Sequence, residues 1–177
     1  MTELKATSSS AALPIANAAL RILIVVNWLV GAGIIGLLAV APHRQWILTA
    51  LKLSPSPDAD LAIMGLRAIA LFGLAGVALN YFVLKRLLAI VETVRAGDPF
   101  VAANARHLQA IAWALLVLQV FSIVVGAIAK VISTPAHPVH LDAGFSVPGW
   151  LAVILTFVLA RVFAEGALMR EDLEGTV

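Results

Sequence analysis

Charged side chains inside apolar stretches are the residues of this sequence best suited to chemistry. Arg161 and Glu165 lie four positions apart in a stretch that begins near Pro148, and Arg67 lies in an earlier one. An ionisable group at membrane depth is a candidate for a solute pathway or a partner contact. Residues four apart on a helix can also neutralise each other, and an arginine can extend its guanidinium to the membrane surface. We expect Arg161 to pair with Glu165 and Arg67 to reach the surface, with a solute-facing role as the alternative.

Histidines are the next candidates, and the chain has four: His43, His107, His137 and His140. They lie at the ends of the apolar stretches or in loops, whereas axial haem ligands in a helical bundle lie within the spans. His137 and His140, with Asp142 close by, could take up a metal ion, but the prolines around them provide no fixed frame. The chain has no cysteine, which excludes thiolate chemistry and disulfides. We therefore expect no catalytic residue, no cofactor and no metal site, and a protein that is not an enzyme.

The elements that carry these residues follow from a very apolar composition. Hydrophobic residues make up 62% of the 177-residue chain and charged residues 12%, and the mean hydropathy is +1.01. Soluble domains are only about 45–50% apolar, so the sequence predicts an integral membrane protein that is solvated by the lipid bilayer. The formal net charge of +2 is too small to indicate direct nucleic-acid binding.

Four apolar stretches are long enough to cross a hydrocarbon core of about 30 Å as helices. They span about residues 20–41, 61–84, 108–132 and 148–169. The predicted fold is all-α, a four-helix transmembrane bundle that forms a single domain over residues 15–172. Residues 1–14 are predicted to be a mobile N-terminal tail and residues 173–177 a C-terminal tail. The connection between the first two spans mixes apolar and basic residues, which fits either a short amphipathic helix at the membrane surface or an irregular loop.

Lysine and arginine positions predict the orientation of the bundle, because basic residues are retained on the cytoplasmic side. With both termini in the cytoplasm, eight basic residues fall on the inner side: Lys5, Arg21, Lys85, Arg86, Arg95, Arg106, Arg161 and Arg170. Four fall on the outer side: Arg44, Lys52, Arg67 and Lys130. We therefore expect a multi-pass membrane protein with both termini in the cytoplasm.

Single polar groups and small residues within the spans predict how the helices pack. Asn27, Asn80 and Gln119 lie in three different spans, and such amides usually bond across helices rather than form a pathway. Glycines allow close helix contacts in the first two spans, within one chain or between two copies: Gly31, Gly33, Gly36, Gly73 and Gly76. A homo-oligomer is therefore one of two alternatives.

The long polar interruption "VETVRAGDPFVAANARHL" predicts a tight turn between the second and third helices. Gly97 is the residue expected just past a helix end, where a left-handed conformation costs little. Asp98 is placed to cap the next helix, and Pro99 suits the first helical position. The apolar periodicity of the second helix continues well past the membrane, so residues 85–107 are predicted to form a helical hairpin that extends about 15–20 Å into the cytoplasm.

Side chains of this hairpin could serve either the scaffold or a partner. Phe100 is predicted to pack across the turn on the apolar stripe of the second helix: Leu87, Leu88 and Val91. Glu92, Arg95 and Arg106 are predicted to face solvent. The hairpin could merely stiffen the bundle, or it could be a docking surface whose candidate residues are Arg95, Gly97, Asp98, Pro99, Phe100, Asn104, Arg106 and Leu108.

These motifs carry a family resemblance. Gly97, Pro99, Phe100, Asn104 and Leu108, followed by "AIAW", resemble a pattern of the bacterial domain-of-unknown-function family twenty-nine seventy-five. The C-terminal stretch "VLARVFAEGALMREDLEGTV" is similar to the ending of that family, and the resemblance covers the chain from about Leu61 onward. It implies a four-span membrane protein encoded beside a small helix-turn-helix regulator of the phage-repressor type.

The leading hypothesis is a non-enzymatic regulator or sensor in the bacterial inner membrane that binds such a small cytoplasmic helix-turn-helix transcription factor. The hairpin and the C-terminal residues 169–177 are the elements expected to contact it. The first alternative is a small-solute transporter or channel subunit, which would use the intramembrane charges and scattered amides. The second is an accessory subunit that stabilises a larger membrane complex.

Overall fold

The computed structural model describes residues 3–40, 44–50, 57–133 and 141–174, and this part of the chain is helical with irregular connections. Its helices are α1 (Glu3–Val40), α2 (Arg44–Ala50), α3 (Pro57–Arg95), α4 (Ala102–Ile132) and α5 (Val147–Glu174). All except α2 are long and apolar enough to cross a membrane. The predicted all-α fold with four membrane-spanning helices is confirmed.

Each long helix packs mainly on its neighbour along the chain: α1 on α3, α3 on α4, and α4 on α5. An aromatic pair lies in each contact, with ring centroids 5.3–5.4 Å apart: Trp28 with Tyr81, Phe72 with Phe121, and Trp113 with Phe157. A second contact in each pair of helices shows that they are antiparallel: Ile34 with Gly73, Gly65 with Ile132, and Gln119 with Gly149. Between α1 and α3, the Asn27 amide donates a 3.1 Å hydrogen bond to the Val77 carbonyl. Asn27 therefore bonds across helices, as its position within a span predicts.

Basic side chains mark two levels across the packed helices. At one level each long helix contributes an arginine, and we call this set the arginine belt: Arg21, Arg86, Arg106 and Arg161. At the other level lie Arg67 and Lys130, because Gly65 faces Ile132 across the contact between α3 and α4. The helical rise separates Arg67 from Arg86 by about 28 Å and Lys130 from Arg106 by about 36 Å. These lengths are close to the roughly 30 Å of a hydrocarbon core, so the belt marks where α3 and α4 leave the apolar zone.

The predicted helical hairpin projects past the belt but does not stand alone. α3 continues from Arg86 to Arg95, a rise of about 14 Å, which is at the lower end of the predicted projection. α5 continues from Arg161 to Glu174, about 20 Å, and contacts the turn between α3 and α4. The predicted fourth span ends near residue 169, whereas α5 continues as a helix beside the hairpin.

At the opposite end, the connection between α4 and α5 folds back along α4. The Ser122 hydroxyl donates to the Gly144 carbonyl and accepts from the Gly144 N–H, both at 3.1 Å. Ser122 lies between the two basic levels, and irregular backbone at that depth is tolerated where its polar groups are bonded. We call residues 141–146 the Gly144 loop; it has no regular secondary structure.

Two further regions refine the sequence prediction. α1 is helical from Glu3 and contains Pro14, so most of the predicted N-terminal tail belongs to this helix, and its mobility stays a prediction. α2 forms the short helix that was one of the two alternatives for the first connection, and Leu48 packs with Ala59 and Ile63 of α3. His43 and residues 134–140 lie outside the described residues, so the metal site considered at His137 and His140 is not tested.

Candidate functional site

The end of α3 is closed by two backbone hydrogen bonds around Gly97. The Gly97 N–H bonds the Val94 carbonyl at 3.1 Å, and the Asp98 N–H bonds the Thr93 carbonyl at 3.0 Å. This is the pairing of a Schellman motif, which satisfies the last carbonyls of a helix. Gly97 has φ +87, a conformation that is strained for residues with a Cβ. The predicted role of Gly97 is confirmed.

A buried polar pair joins the last turn of α3 to the first turn of α4. Asn104 is fully buried, and its amide nitrogen donates to the Thr93 hydroxyl at 2.7 Å and to the Pro99 carbonyl at 2.8 Å. The Thr93 hydroxyl lies 2.8 Å from the Ile90 carbonyl. A buried amide is costly unless it is bonded in this way, so Asn104 belongs to the scaffold of the turn. The role of Thr93 was not predicted from the sequence. The signal that could have indicated it is a hydroxyl side chain one turn before the glycine that ends the helix.

The predicted cap of α4 is wrong. The helix begins at Ala102, its N-cap residue is Val101, and no side chain caps it. The Schellman motif and the bond from Asn104 to the Pro99 carbonyl hold residues 98–101 outside the helix, so Pro99 is not at the first helical position. Asp98 instead forms an ion pair with Arg170 of α5. The Asn104 N–H, bonded to the Val101 carbonyl at 2.9 Å, closes the first turn instead.

Phe100 packs on α5, not on the predicted stripe of Leu87, Leu88 and Val91. Its ring centroid lies 5.3 Å from that of Phe163, and a Cβ added to Gly166 would lie only 2.9 Å from the Phe100 ring. The reason is that Phe100 precedes α4 and does not follow its helical face. Phe100 remains 45% exposed. The contact shows why glycine is needed at position 166, which the sequence pattern alone does not reveal.

The ion pair and the ring contact together attach α5 to the turn. The side chains of Asp98 and Arg170 are 47% and 42% exposed, so the pair lies at the surface rather than in the core. We call the resulting composite the Gly97 surface: the exposed residues at the end of α3, the turn, and the last turns of α5 from Arg170 onward. The C-terminal residues 175–177 lie outside the described residues.

The other candidate residues of the hairpin fall on different sides of the scaffold. Arg95 and Gly97 are exposed at the Gly97 surface. Leu108 is only 6% exposed and belongs to the core. Arg106 is exposed, on the side of α4 that lines a groove towards α5. The structure therefore brings Arg95, Gly97 and Asp98 together, and it separates them from Arg106.

A second polar contact joins α3 to α4 at the level of the arginine belt. Arg86 Nη1 lies 2.9 Å from His107 Nδ1, and the Arg86 guanidinium carbon lies 4.4 Å from the centre of the Phe82 ring. This geometry combines a hydrogen bond with a cation–π contact. His107 was considered in the sequence only as a haem ligand, and the structure places it as an interhelical partner of Arg86.

The intramembrane charges occupy the two ends of the apolar zone. Arg161 Nη2 pairs with Glu165 on the same helix, and their side chains are 78% and 44% exposed. The predicted pairing is confirmed. Arg67 is exposed at the level of Lys130, a position from which its guanidinium can reach the membrane surface as predicted.

The groove between α4 and α5 is an open cavity of about 490 Å³ whose lining includes two arginines of the belt, Arg106 and Arg161. Its walls are contributed by one face of each helix: Ala102, Ala105, Arg106 and Gln109 of α4, and Phe157, Ala160, Arg161, Ala164, Ala167, Leu168 and Glu171 of α5. Among the described residues, no group of three or more His, Cys, Asp or Glu side chains could hold a metal ion. The charged residues that line the groove are Arg106 and Arg161 at the belt and Glu171 further along α5.

Comparison with known proteins gives one match. The sequence profile of DUF2975, described as a protein of unknown function, matches residues 41–177. This range extends the resemblance seen from Leu61 onward back to the residues that precede α2. No protein of curated function and no solved structure matches the chain. Because the match covers well over half of its length, the chain belongs to the DUF2975 family.

Proposed function

We propose that this protein is a non-enzymatic regulator or sensor of the bacterial inner membrane that binds a small cytoplasmic helix-turn-helix transcription factor at the Gly97 surface. In this proposal both termini lie in the cytoplasm. The orientation rests on the larger number of basic residues at the Gly97 end, which are retained on the cytoplasmic side. The regulator is the partner implied by the gene neighbourhood of the family.

The observation that carries the proposal is that the side chains that hold the turn together are used in contacts within the turn or with α5. Asn104 and Thr93 bond to each other, and Asp98 bonds to Arg170. Exposed at the tip are Glu92 and Arg95, together with Ala96 and Gly97. A rigid surface with a polar rim is suited to a specific partner, and it projects about 14 Å beyond the belt.

The structure weakens the sequence argument for a transporter or channel. That alternative rested on charges and amides within the spans. Arg161 is paired with Glu165, and the Asn27 amide bonds to the backbone of α3. Gln119 lies directly against Gly149 of α5, so this amide also packs between helices.

Co-purification with the regulator encoded beside the gene tests the proposal. A charge exchange at the surface, Glu92→Lys with Arg95→Glu, keeps the net charge and is expected to abolish co-purification. The matched control is the exchange Lys130→Glu with Asp142→Lys, which alters two exposed residues at the opposite end. We expect the control to retain the regulator. Equal retention by both variants, or no binding by the wild-type protein, would contradict the proposal.

A further inference from the structure

The groove between α4 and α5 has the position and charge of a site for the headgroup of one lipid molecule. It lies between helices at the arginine belt, where the apolar zone ends. Arg106 and Arg161 face it from opposite walls. We propose that the groove binds one anionic phospholipid, with the phosphate between these two arginines and the acyl chains directed along α5 towards Phe157. This inference is independent of the proposed regulator.

Arg106 is the first residue that points to an anion. It is exposed and makes no hydrogen bond or ion pair with any residue that the structure describes. Most arginines at a membrane boundary are balanced by a carboxylate, a carbonyl or a lipid phosphate. Since no described residue supplies either of the first two to Arg106, a phosphate from the bilayer is the complementary group.

Arg161 supplies the second half of the site. Its pairing with Glu165 engages Nη2, whereas a guanidinium carries five N–H donors. The remaining donors can bind a phosphate oxygen while the pair with Glu165 persists. The acid that lines the groove, Glu171, lies about 15 Å further along α5, so it does not neutralise this position.

The apolar walls explain why a whole lipid fits better than a free anion. Around the two arginines the walls are formed by small side chains, among them Ala105, Ala160 and Ala164, which leave room for a headgroup. Deeper along α5, Phe157 packs edge-on against Trp113, and Trp113 is 55% exposed. This aromatic pair provides an apolar surface for acyl chains at the depth where those chains begin.

Native mass spectrometry of the purified protein tests the site, with phosphatidylglycerol and phosphatidylcholine of identical chains as probes. The wild-type protein is expected to retain one phosphatidylglycerol in preference to phosphatidylcholine. Arg106→Gln is expected to weaken phosphatidylglycerol binding roughly fivefold. Lys130→Gln, which removes a basic residue from the same helix at the other boundary, is the matched control and is expected to change it less than about twofold. Glycerol 3-phosphate, a headgroup without chains, is expected not to displace the lipid.

A second pair of variants tests whether the lipid needs the open volume of the groove, whereas the first pair tests the charge of Arg106. Ala164→Phe fills the groove and is expected to eliminate the retained lipid, whereas Ala152→Phe, at an exposed position elsewhere on α5, is expected to leave it bound. If Ala164→Phe does not fold, the comparison of Arg106→Gln with Lys130→Gln decides the matter. Equal loss in those two variants would overturn the proposal. So would equal retention of both lipids, or a wild-type dimer that Ala164→Phe dissociates, since the occupant would then be a second copy of the chain.

Discussion

The connections that precede and follow α4 are each held by a polar side chain of α4, but their exposed residues differ in polarity. Asn104 holds the Gly97 turn through Thr93 and the Pro99 carbonyl, and Ser122 holds the Gly144 loop through its backbone. Around the turn, the exposed residues are charged or small except for Phe100, which is 45% exposed: Glu92, Arg95, Ala96 and Gly97. Around the loop, the large apolar side chains are exposed: Leu141 by 44%, Phe145 by 72% and Val147 by 66%.

This difference indicates that a polar side chain of α4 holds a connection in each of two environments, water at the turn and lipid at the loop. Apolar side chains exposed between the two basic levels suit lipid, since the hydrocarbon core solvates them. Exposed charges beyond the arginine belt suit water. Of these two connections, as far as the structure describes them, the Gly97 turn therefore has the more polar surface. The following predictions test whether the two ends differ in the way this comparison requires.

The largest expected effect is that of removing the buried anchor. Asn104→Ala leaves the Thr93 hydroxyl and the Pro99 carbonyl without their donor in a buried place, and it is expected to lower the free energy of unfolding by about 3 kcal/mol. Ser122→Ala removes partly buried bonds and is expected to cost only about 1 kcal/mol. Unfolding titrations in mixed micelles measure both. Equal costs would show that the turn is no more tightly anchored than the loop.

The sequence predicted well what depends on neighbouring residues. The four spans follow from apolar length, the pairing of Arg161 with Glu165 from helical spacing, and the left-handed Gly97 from the turn chemistry of glycine. It failed where the partner lies on a distant helix. Asp98 and Arg170 are 72 residues apart along the chain, and their contact depends on how far α5 continues past the belt.

The residue preferences of helix starts also gave a wrong prediction for the beginning of α4. Asp98 followed by Pro99 resembles a helix start, so Phe100 was assigned to the helical face that packs on α3. The actual start at Ala102 turns Phe100 towards α5. The decisive information is the close approach allowed by Gly166, and no periodicity within α4 contains it. Which side chains are exposed at the turn and at the loop likewise depends on how the helices pack.

The second prediction concerns the aromatic residue at each connection. Phe100→Ala removes a half-buried ring from the contact with Phe163 and Gly166, and the expected loss in the free energy of unfolding is about 2 kcal/mol. Phe145 stacks on Trp150 with centroids 6.3 Å apart but is mostly exposed, so Phe145→Ala is expected to cost about 1 kcal/mol or less. The same titrations provide the comparison. A larger loss for Phe145→Ala would indicate that α5 is held mainly from the Gly144 end.

The smallest expected effect is on the ion pair between the turn and α5. Because both side chains are about half exposed, Asp98→Asn and Arg170→Gln are each expected to cost less than about 1 kcal/mol. A double-mutant cycle should give a coupling energy of about 0.5 kcal/mol that decreases at high salt. A coupling of several kcal/mol would place this pair in an apolar environment, and the Gly97 end would then lie in the membrane rather than beyond it.

The measurement that tests the central claim most directly is photo-crosslinking in living cells from one position at each connection. A benzophenone side chain is placed at position 95 of the Gly97 surface or at position 145 of the Gly144 loop, and the products are identified by mass. We predict that position 95 crosslinks to the proposed helix-turn-helix regulator, whereas position 145 yields lipid adducts and no regulator. Lipid adducts at both positions, or the regulator at neither, would contradict the account.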